Sequence, residues 1–489
     1  MIKKQVKKFE KNWIIISLVI ALLFLLCILT KFYGVSDVGD YSDIAKFFAG
    51  KYSAKLRTSH PISYGLMHTP FLKIMDSFIF LKLSSVLWLS LIIISVYYIS
   101  NKNKKTILLI LTTPVIWYMS PYISPIPLTC FLFLWSYYFI KKYDEKQELK
   151  HLLYSGLLIG VAWIFWEAVT YFAFALVITF LLNKKLSHSI YFVLALLVGV
   201  FPKLLIDYIF FGFPFYSILK HFFSVIAFSF YGSIYGQTEN RSLLALLPTL
   251  LIIPIYTLIL FTKRNFKKYK KQIFFILFSL FMIWLAGSQI RYVFMLIPII
   301  ILLLGEILTE KQFKIQLIIF IVLTLLIANL YLIQAKYETN SKDFSQFVIN
   351  LGSLELNSSF YESTLNEDII AIAKDYPAQI FIVGNSPDDY QTLAHVYWEK
   401  NIKEFVSIQD YRLFLQDSSL IFKKTICSNS KIQNRREICI SAYLERLSDN
   451  KDNTDYSSIK YAISLQDNLD LDNFKLIKKY HILSLFEKV

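Results

Sequence analysis

Long apolar runs recur along this chain and restrict its fold more than any other feature of the sequence. Several exceed the roughly 18 residues that a helix needs to cross about 30 Å of hydrocarbon. Only 18% of the residues are charged and the mean hydropathy is +0.50, whereas a soluble domain carries about 25% charged residues. The sequence therefore predicts an α-helical polytopic membrane protein.

Polar breaks divide the apolar runs into eleven candidate spans. The first is predicted to be a retained span, because it is too long for a signal-peptide core and no small-residue cleavage site follows it. Two tightly linked pairs of spans, joined at Pro121–Pro127 and at Trp166–Glu167, also fit re-entrant features. The eleven spans are Trp13–Phe32, Phe78–Ser100, Ile107–Tyr122, Pro125–Ile140, Leu152–Phe165, Ala168–Leu182, Ile190–Phe211, Leu243–Phe261, Ile273–Gly287, Tyr292–Leu308 and Ile315–Ile333.

Lysine and arginine alternate regularly between the spans. Every second break is basic, whereas the breaks at 120–125, 166–167 and 288–291 are nearly free of lysine. Basic loops stay on the cytoplasmic side, so the N-terminus is predicted inside and the C-terminus outside, with outer loops at 33–77 and 212–242. The same clustering accounts for the net charge of +16 and argues against nucleic-acid binding. A bacterial cytoplasmic (inner) membrane is the predicted location, with the endoplasmic reticulum as the alternative.

The composition becomes polar from about Gln334. Two domains are predicted: a transmembrane domain at 1–335 and an extracytoplasmic α/β domain at 336–489. In the second domain, Gln379–Val383 predicts a buried strand, followed by a turn, a helix from Asp388 and a further strand from Phe405. Cys427 and Cys439 lie twelve residues apart there. An oxidising compartment permits a disulfide between them, and two free thiols are the alternative.

Three aspartates, Asp37, Asp40 and Asp43, follow the first span directly. A solvated loop in which acids happen to cluster is one interpretation. The pattern around them favours another, because Asp37 precedes Tyr41 by four residues and Ala45 by eight. Tyr41 precedes and Ala45 lies within DIAKFFAGKY, which is predicted to form an amphipathic helix along the membrane surface.

This stretch resembles the first outer loop of the GT-C superfamily of membrane glycosyltransferases, which use polyprenyl-phosphate-linked sugars. The superfamily pattern has an Asp, often followed by Glu, then a Tyr four residues on, a small residue eight on and a Gly-aromatic helix end. Val38 stands in place of the Glu, which leaves Asp40 as a competing candidate. Gly287–Pro298 resembles a late Arg-Tyr segment of the superfamily, and Ile206–Lys220 resembles its Gly-x-Pro exit into a long outer loop.

The resemblance implies a fold, a reaction and roles for two residues. The eleven spans with an outer C-terminal domain match aminoarabinose-transferase-like and protein O-mannosyltransferase-like members. Asp37 would take a proton from the acceptor, since a partly desolvated carboxylate is a better base. Arg291 would contact the donor phosphate, whose developing charge a guanidinium stabilises.

Other ionisable residues are candidates for binding the donor or acceptor. Lys203 and Asp207 lie at i and i+4 in the seventh span, which predicts either a structural ion pair or a contact of Lys203 with the donor phosphate. Glu167 is a second acid or a helix-end carboxylate. The short loop SPYISPIP has no acid, so no metal or other cofactor is predicted. The remaining candidates, for contacts to acceptor or phosphate or for capping the loop, are Arg57, His60 and His68.

The function predicted is an inverting glycosyltransferase of the cell envelope. It would move a sugar from a polyprenyl-phosphate carrier to a lipid, glycan or protein acceptor on the extracytoplasmic side of the membrane. A multi-span transporter or lipid-linked-sugar flippase is the alternative, and it would spread ionisable residues through the spans. A non-catalytic scaffold for the outer domain is a third possibility. The aromatic segment Phe213–Gly232 is predicted to lie in the membrane interface or to cover the lipid donor.

Overall fold

The computed structural model contains thirteen α-helices, one 3-10 helix and seven β-strands among the residues that it describes. These residues are 2–29, 41, 44–45, 48–50, 61–74, 78–182, 186–211, 214–215, 217–218, 253–285, 290–333, 344–351, 354–361, 368, 371–372, 374–376, 380–384, 402–407, 460–464, 467, 473–481 and 483–489.

The helices follow the apolar runs of the sequence. We number them α1 Ile2–Leu29, α2 Ile62–Ile74, α3 Phe78–Ile99, α4 Lys104–Thr112, α5 Pro114–Met119, α6 Ile126–Lys146, α7 Leu149–Phe165, α8 Val169–Leu182, α9 Leu186–Phe211, α10 Lys263–Leu285, α11 Ile290–Val293, α12 Ile297–Ile307 and α13 Glu310–Ile333. The 3-10 helix Ile255–Phe261 directly precedes α10.

Three described helices contain segments long and apolar enough to cross a membrane: Asn12–Leu29, Phe80–Ile99 and Ser187–Ile209. Shorter apolar helices include α7, most of α8 and α12. Many large apolar side chains on these helices are exposed, for example Val198 at 65% and Phe201 at 61%, as a face in contact with lipid requires. The helices confirm a polytopic membrane protein. The count of eleven crossings stays a prediction, as does the orientation with the N-terminus inside and the C-terminus outside.

Two predicted spans are broken by proline. The span Ile107–Tyr122 consists of α4 and α5, because Thr113 is extended ahead of Pro114. The Thr324 hydroxyl donates to the Thr112 carbonyl over 2.8 Å and so satisfies an acceptor that the break leaves open. The span Tyr292–Leu308 likewise divides into α11 and α12, with Pro298 in the first turn of α12. Of the span Leu243–Phe261, residues 243–252 lie outside the described residues, and the remainder ends in the 3-10 helix Ile255–Phe261.

The chain forms two compact units. One contains Met1–Thr30, Lys82–Ile206 and Asn240–Ile333, and the other contains Lys31–Leu81, Asp207–Glu239 and Gln334–Val489. One border of the second unit, between Ile333 and Gln334, lies near the predicted boundary at 335, and this unit also contains the predicted outer loop 33–77 and most of the loop 212–242. The assignment of 1–335 and 336–489 as two separate domains stays a prediction.

The C-terminal region carries two sheets. We number the strands β1 Phe344–Leu351, β2 Leu354–Tyr361, β3 Ile380–Gly384, β4 Ile402–Ser407, β5 Tyr461–Ser464, β6 Phe474–Lys479 and β7 Ser484–Lys488. Strands β1 and β2 pair antiparallel, with Leu351 opposite Leu354. The other five form one sheet in the order β4-β3-β5-β7-β6, in which β3 is parallel to both neighbours.

Strands β3 and β4 lie at the positions predicted for Gln379–Val383 and for the segment from Phe405. The helix predicted from Asp388 lies outside the described residues, as do Cys427 and Cys439. The α/β character of the domain and the disulfide therefore stay predictions. Cys27 and Cys130 are free and buried, as expected for small apolar side chains.

Candidate functional site

The ion pair between Glu167 and Lys203 is the most buried one among the described residues. Lys203 Nζ donates to Glu167 Oε1 over 3.0 Å, and the two side chains are 2% and 7% exposed. Removing such charges from water costs several kcal/mol each, and their mutual attraction offsets this only when the geometry is good. An ionisable pair within an apolar helical unit is therefore a candidate site.

Close packing of α7 against α9 brings Lys203 to Glu167. A Cβ on Gly160 would lie 2.2 Å from the Leu196 carbonyl oxygen, and a Cβ on Gly199 would lie 2.4 Å from the Leu157 carbonyl oxygen. The two backbones touch where these glycines face each other, as small residues permit between membrane helices. Lys203 follows Gly199 by one helical turn, and Glu167 follows the end of α7.

The turn between α7 and α8 holds Glu167. Trp166 is extended, with φ −156° and ψ 121°, and it ends α7. The Glu167 carbonyl accepts bonds from the Thr170 amide at 3.0 Å and the Thr170 hydroxyl at 2.7 Å, at the start of α8. These bonds fix the backbone of Glu167 at the start of α8.

The short helix α11, which carries Arg291, contacts the same turn through Tyr292. The rings of Trp166 and Tyr292 lie 5.3 Å apart between centroids at an interplanar angle of 46°. Tyr292 follows Arg291 in the short helix α11, and Trp166 precedes Glu167. The backbone of Arg291 is thereby placed near the buried pair. The Arg291 side chain lies outside the described structure.

The predicted partner of Lys203 is wrong. The ion pair that the structure shows for Lys203 is with Glu167 on another helix, not the i,i+4 pair with Asp207. Asp207, 3% exposed, accepts instead from the Ser217 amide at 3.0 Å and from the Ser217 hydroxyl at 2.6 Å. Helical spacing shows only which side chains share a face of one helix, and tertiary packing supplied a closer partner.

The second unit contains part of the stretch that carried the GT-C resemblance. Its described residues 41, 44–45 and 48 are helical, as DIAKFFAGKY predicted, and Tyr41, Ile44 and Ala45 are buried. The Tyr41 ring meets the Tyr64 ring of α2 edge-on, with centroids 5.0 Å apart. The pattern's Tyr and small residue therefore pack this helix onto α2, and Gly50 follows it at φ +77°, a conformation that suits glycine at a helix end.

His68 is packed in the same cluster. It is 1% exposed, and its Nδ1 lies 2.8 Å from the Tyr64 carbonyl oxygen. Burial lowers the pKa of His68 to about 4, and the bond to the Tyr64 carbonyl offsets part of this shift. The imidazole is therefore neutral near pH 7, which favours a structural role over a phosphate contact.

Four candidates lie outside the described residues: Asp37, Asp40, Arg57 and His60. Their roles stay predictions, as do the roles of Glu167, Lys203 and Arg291 in binding the donor. Among the described residues no cluster of three potential metal ligands occurs, and the absence of a metal requirement also stays a prediction. Sequence reasoning passed over Lys82, which is 5% exposed inside α3. A single lysine within a long apolar run was the feature of the sequence that could have identified it.

The fold is similar to that of ArnT from Cupriavidus metallidurans, whose crystal structure was solved bound to undecaprenyl phosphate. It matches 97% of this chain and 97% of its own length, with a TM-score of 0.62 and 11% sequence identity. At that identity the likeness shows the fold alone. No family model matches the chain, and no curated protein matches it.

Proposed function

We propose that this chain is a membrane glycosyltransferase that moves a sugar from a polyprenyl-phosphate carrier to a lipid, glycan or protein acceptor. The fold that it shares with ArnT over almost the whole of both chains is the observation that carries the proposal. ArnT was solved with a polyprenyl phosphate, so a site for such a lipid is compatible with this fold. The reaction takes place on the extracytoplasmic face of the cytoplasmic membrane, where the predicted topology puts Asp37 and Arg291.

The transfer is a single displacement at the anomeric carbon. The acceptor hydroxyl or amine attacks that carbon, the bond to the phosphate oxygen breaks, and polyprenyl phosphate leaves with the bonding electrons. Asp37 takes the proton of the acceptor, and Asp40 is the competing base. In-line attack inverts the anomeric configuration.

Cationic side chains stabilise the departing phosphate. An ammonium has three donor hydrogens, and the described structure directs one from Lys203 to Glu167. The same ammonium can therefore bind a phosphate oxygen, with Glu167 holding it in place. Arg291, next to Tyr292 at the Trp166 turn, supplies a bidentate contact. Arg57 and His60 complete the set in the predicted outer loop.

A transfer assay tests the proposal. The purified protein in lipid nanodiscs is given a radiolabelled polyprenyl-phosphate sugar together with an envelope lipid extract, and the label released from the carrier is measured. Asp37→Asn should lose transfer by at least about 100-fold, the usual range for a general base. Asp43→Asn is the matched control in the same stretch and should retain it.

The outcomes separate the alternatives. If Asp40→Asn loses transfer and Asp37→Asn retains it, the general base is Asp40 instead of Asp37, and the proposed reaction is unchanged. A wild-type protein that moves the labelled lipid between leaflets of sealed vesicles, without releasing sugar, would instead support a flippase and contradict the proposal.

A further inference from the structure

The segment Ile255–Lys271 joins an apolar ridge to a basic cluster on one surface of the helical unit. In the 3-10 helix the exposed residues are Ile255 at 60%, Leu258 at 71% and Phe261 at 44%. Residues three apart eclipse one another in such a helix, so these side chains form a single ridge. Thr257 and Leu260 lie on the other side and are buried, at 8% and 1% exposed.

The basic cluster follows immediately at the start of α10. Six of the nine residues from 263 to 271 are lysine or arginine. Lys271 binds Asp144 over 2.8 Å. Among the described residues, no carboxylate lies within ion-pair distance of Lys263, Arg264, Lys267 or Lys270, which are four of the five exposed cations in the cluster.

The ridge and the cluster are held together as one surface. The Asn265 side-chain amide donates to the Ile259 carbonyl over 3.0 Å, and the Phe266 amide donates to the Thr262 carbonyl over 2.8 Å. Tyr269 is 5% exposed, and its hydroxyl donates to Glu306 over 3.1 Å. Its φ of −114° and ψ of 24° interrupt the helix, so the basic turn 263–268 is kinked away from the apolar part of α10.

We propose that this surface is a binding site for anionic phospholipid headgroups at the membrane boundary. An apolar ridge beside uncompensated cations complements such a lipid, because hydrocarbon covers the ridge while phosphates meet the cations. Charge that served only to orient the chain would need neither the kinked turn nor the exposed ridge. An acidic protein partner would be expected to bind the cations without an apolar membrane contact. The proposal is independent of the proposed transferase function.

Native mass spectrometry of the full chain tests this proposal. The detergent-solubilised protein is titrated with phosphatidylglycerol and with phosphatidylcholine of identical acyl chains. The wild type should retain phosphatidylglycerol in clear preference. A cation near a membrane surface contributes about fivefold to binding. The variant Lys263→Gln/Arg264→Gln/Lys267→Gln/Lys270→Gln should therefore bind phosphatidylglycerol at least about tenfold more weakly.

A control variant loses the same charge elsewhere. Lys104, Lys146, Lys311 and Lys314 are also exposed, and their replacement by Gln should leave the lipid preference intact. Leu258→Asn should weaken both lipids alike, because it removes part of the ridge. The proposal is overturned if the wild type shows no preference for phosphatidylglycerol. It is also overturned if the control variant loses that preference to the same extent as the variant of the basic cluster.

A measurement on the unmodified protein guards against misfolded variants. Raising the salt from about 0.05 M to about 0.5 M shortens the screening length several-fold and should remove the preference of the wild type. A preference that survives high salt would show that acyl-chain packing, not headgroup charge, selects the lipid, and would refute the proposal.

Discussion

Lys203 Nζ and Glu167 Oε1 form a 3.0 Å ion pair from which water is almost excluded, with side chains 2% and 7% exposed. Lys141 and Glu306 form a pair of nearly equal length, 3.1 Å, whose side chains are 44% and 41% exposed. The two pairs are nearly equal in length, but they differ in burial and therefore in their effect on the free energy of unfolding. Exposed pairs contribute about 0–1 kcal/mol, whereas breaking a buried pair leaves an uncompensated charge and costs about 3–5 kcal/mol.

Lys203→Met should therefore destabilise the protein strongly, by about 3–5 kcal/mol, because Glu167 is left without its cation. The double variant Lys203→Met/Glu167→Leu should recover most of the stability, since both buried charges are gone. Thermal unfolding in one detergent measures both, and Lys141→Met serves as the exposed control with a change below about 1 kcal/mol.

The same variants separate a structural role from a role in binding the donor. If Lys203 contacts the donor phosphate, the double variant is stable but remains inactive in the transfer assay. Recovery of both stability and transfer would show that the pair only holds the helices together.

Gly160→Val should separate α7 from α9. Even the Cβ of an alanine would stand 2.2 Å from the Leu196 carbonyl oxygen, so the helices must move apart or tilt. The pair of Glu167 and Lys203 depends on that contact, and we expect a loss of about 2–4 kcal/mol together with loss of transfer. Leu157→Val, at a 38% exposed position of the same helix, is the control. Unfolding at the wild-type temperature in Gly160→Val would contradict this account.

The sequence predicted the helices and strands better than it predicted which side chains form ion pairs. The run Phe78–Ser100 became helix Phe78–Ile99, and Leu152–Phe165 became Leu149–Phe165, because about 20 apolar residues between polar breaks have few alternatives to a membrane helix. Strand Gln379–Val383 was displaced by one residue to Ile380–Gly384. The broken span at Pro114 could have been foreseen, since the residue before a proline avoids the helical conformation.

The partner of Lys203 could not be read from helical spacing. Glu167 lies 36 positions away in the sequence, and the pair exists because α7 and α9 touch at their glycines. The sequence did contain a signal in Gly156 and Gly160, which are spaced as small residues are at membrane helix interfaces. That spacing predicts close packing but not which helix packs there.

Acidification should destabilise the cluster around His68. Burial lowers the pKa of His68 to about 4, from an ordinary value near 6.5. Between pH 6.5 and pH 4 the unfolded chain binds a proton at His68 that the folded chain does not bind. The stability contributed by the neutral ring is therefore complete above about pH 6.5 and is lost as the pH falls through 4. At one pKa unit per 1.36 kcal/mol, the loss is about 2 kcal/mol by pH 5.

His68→Gln should flatten this dependence. Gln does not titrate, so the unfolding temperature of the variant should change less than that of the wild type between pH 6.5 and pH 5. This window lies largely above the ordinary pKa values of carboxylates. The variant should start from a lower stability at pH 7, because the ring contact with Tyr64, 4.6 Å between centroids, is removed. Scanning calorimetry at several pH values measures both quantities. Parallel curves for wild type and variant would show that His68 accepts a proton in the folded state, as an accessible imidazole at a phosphate site would.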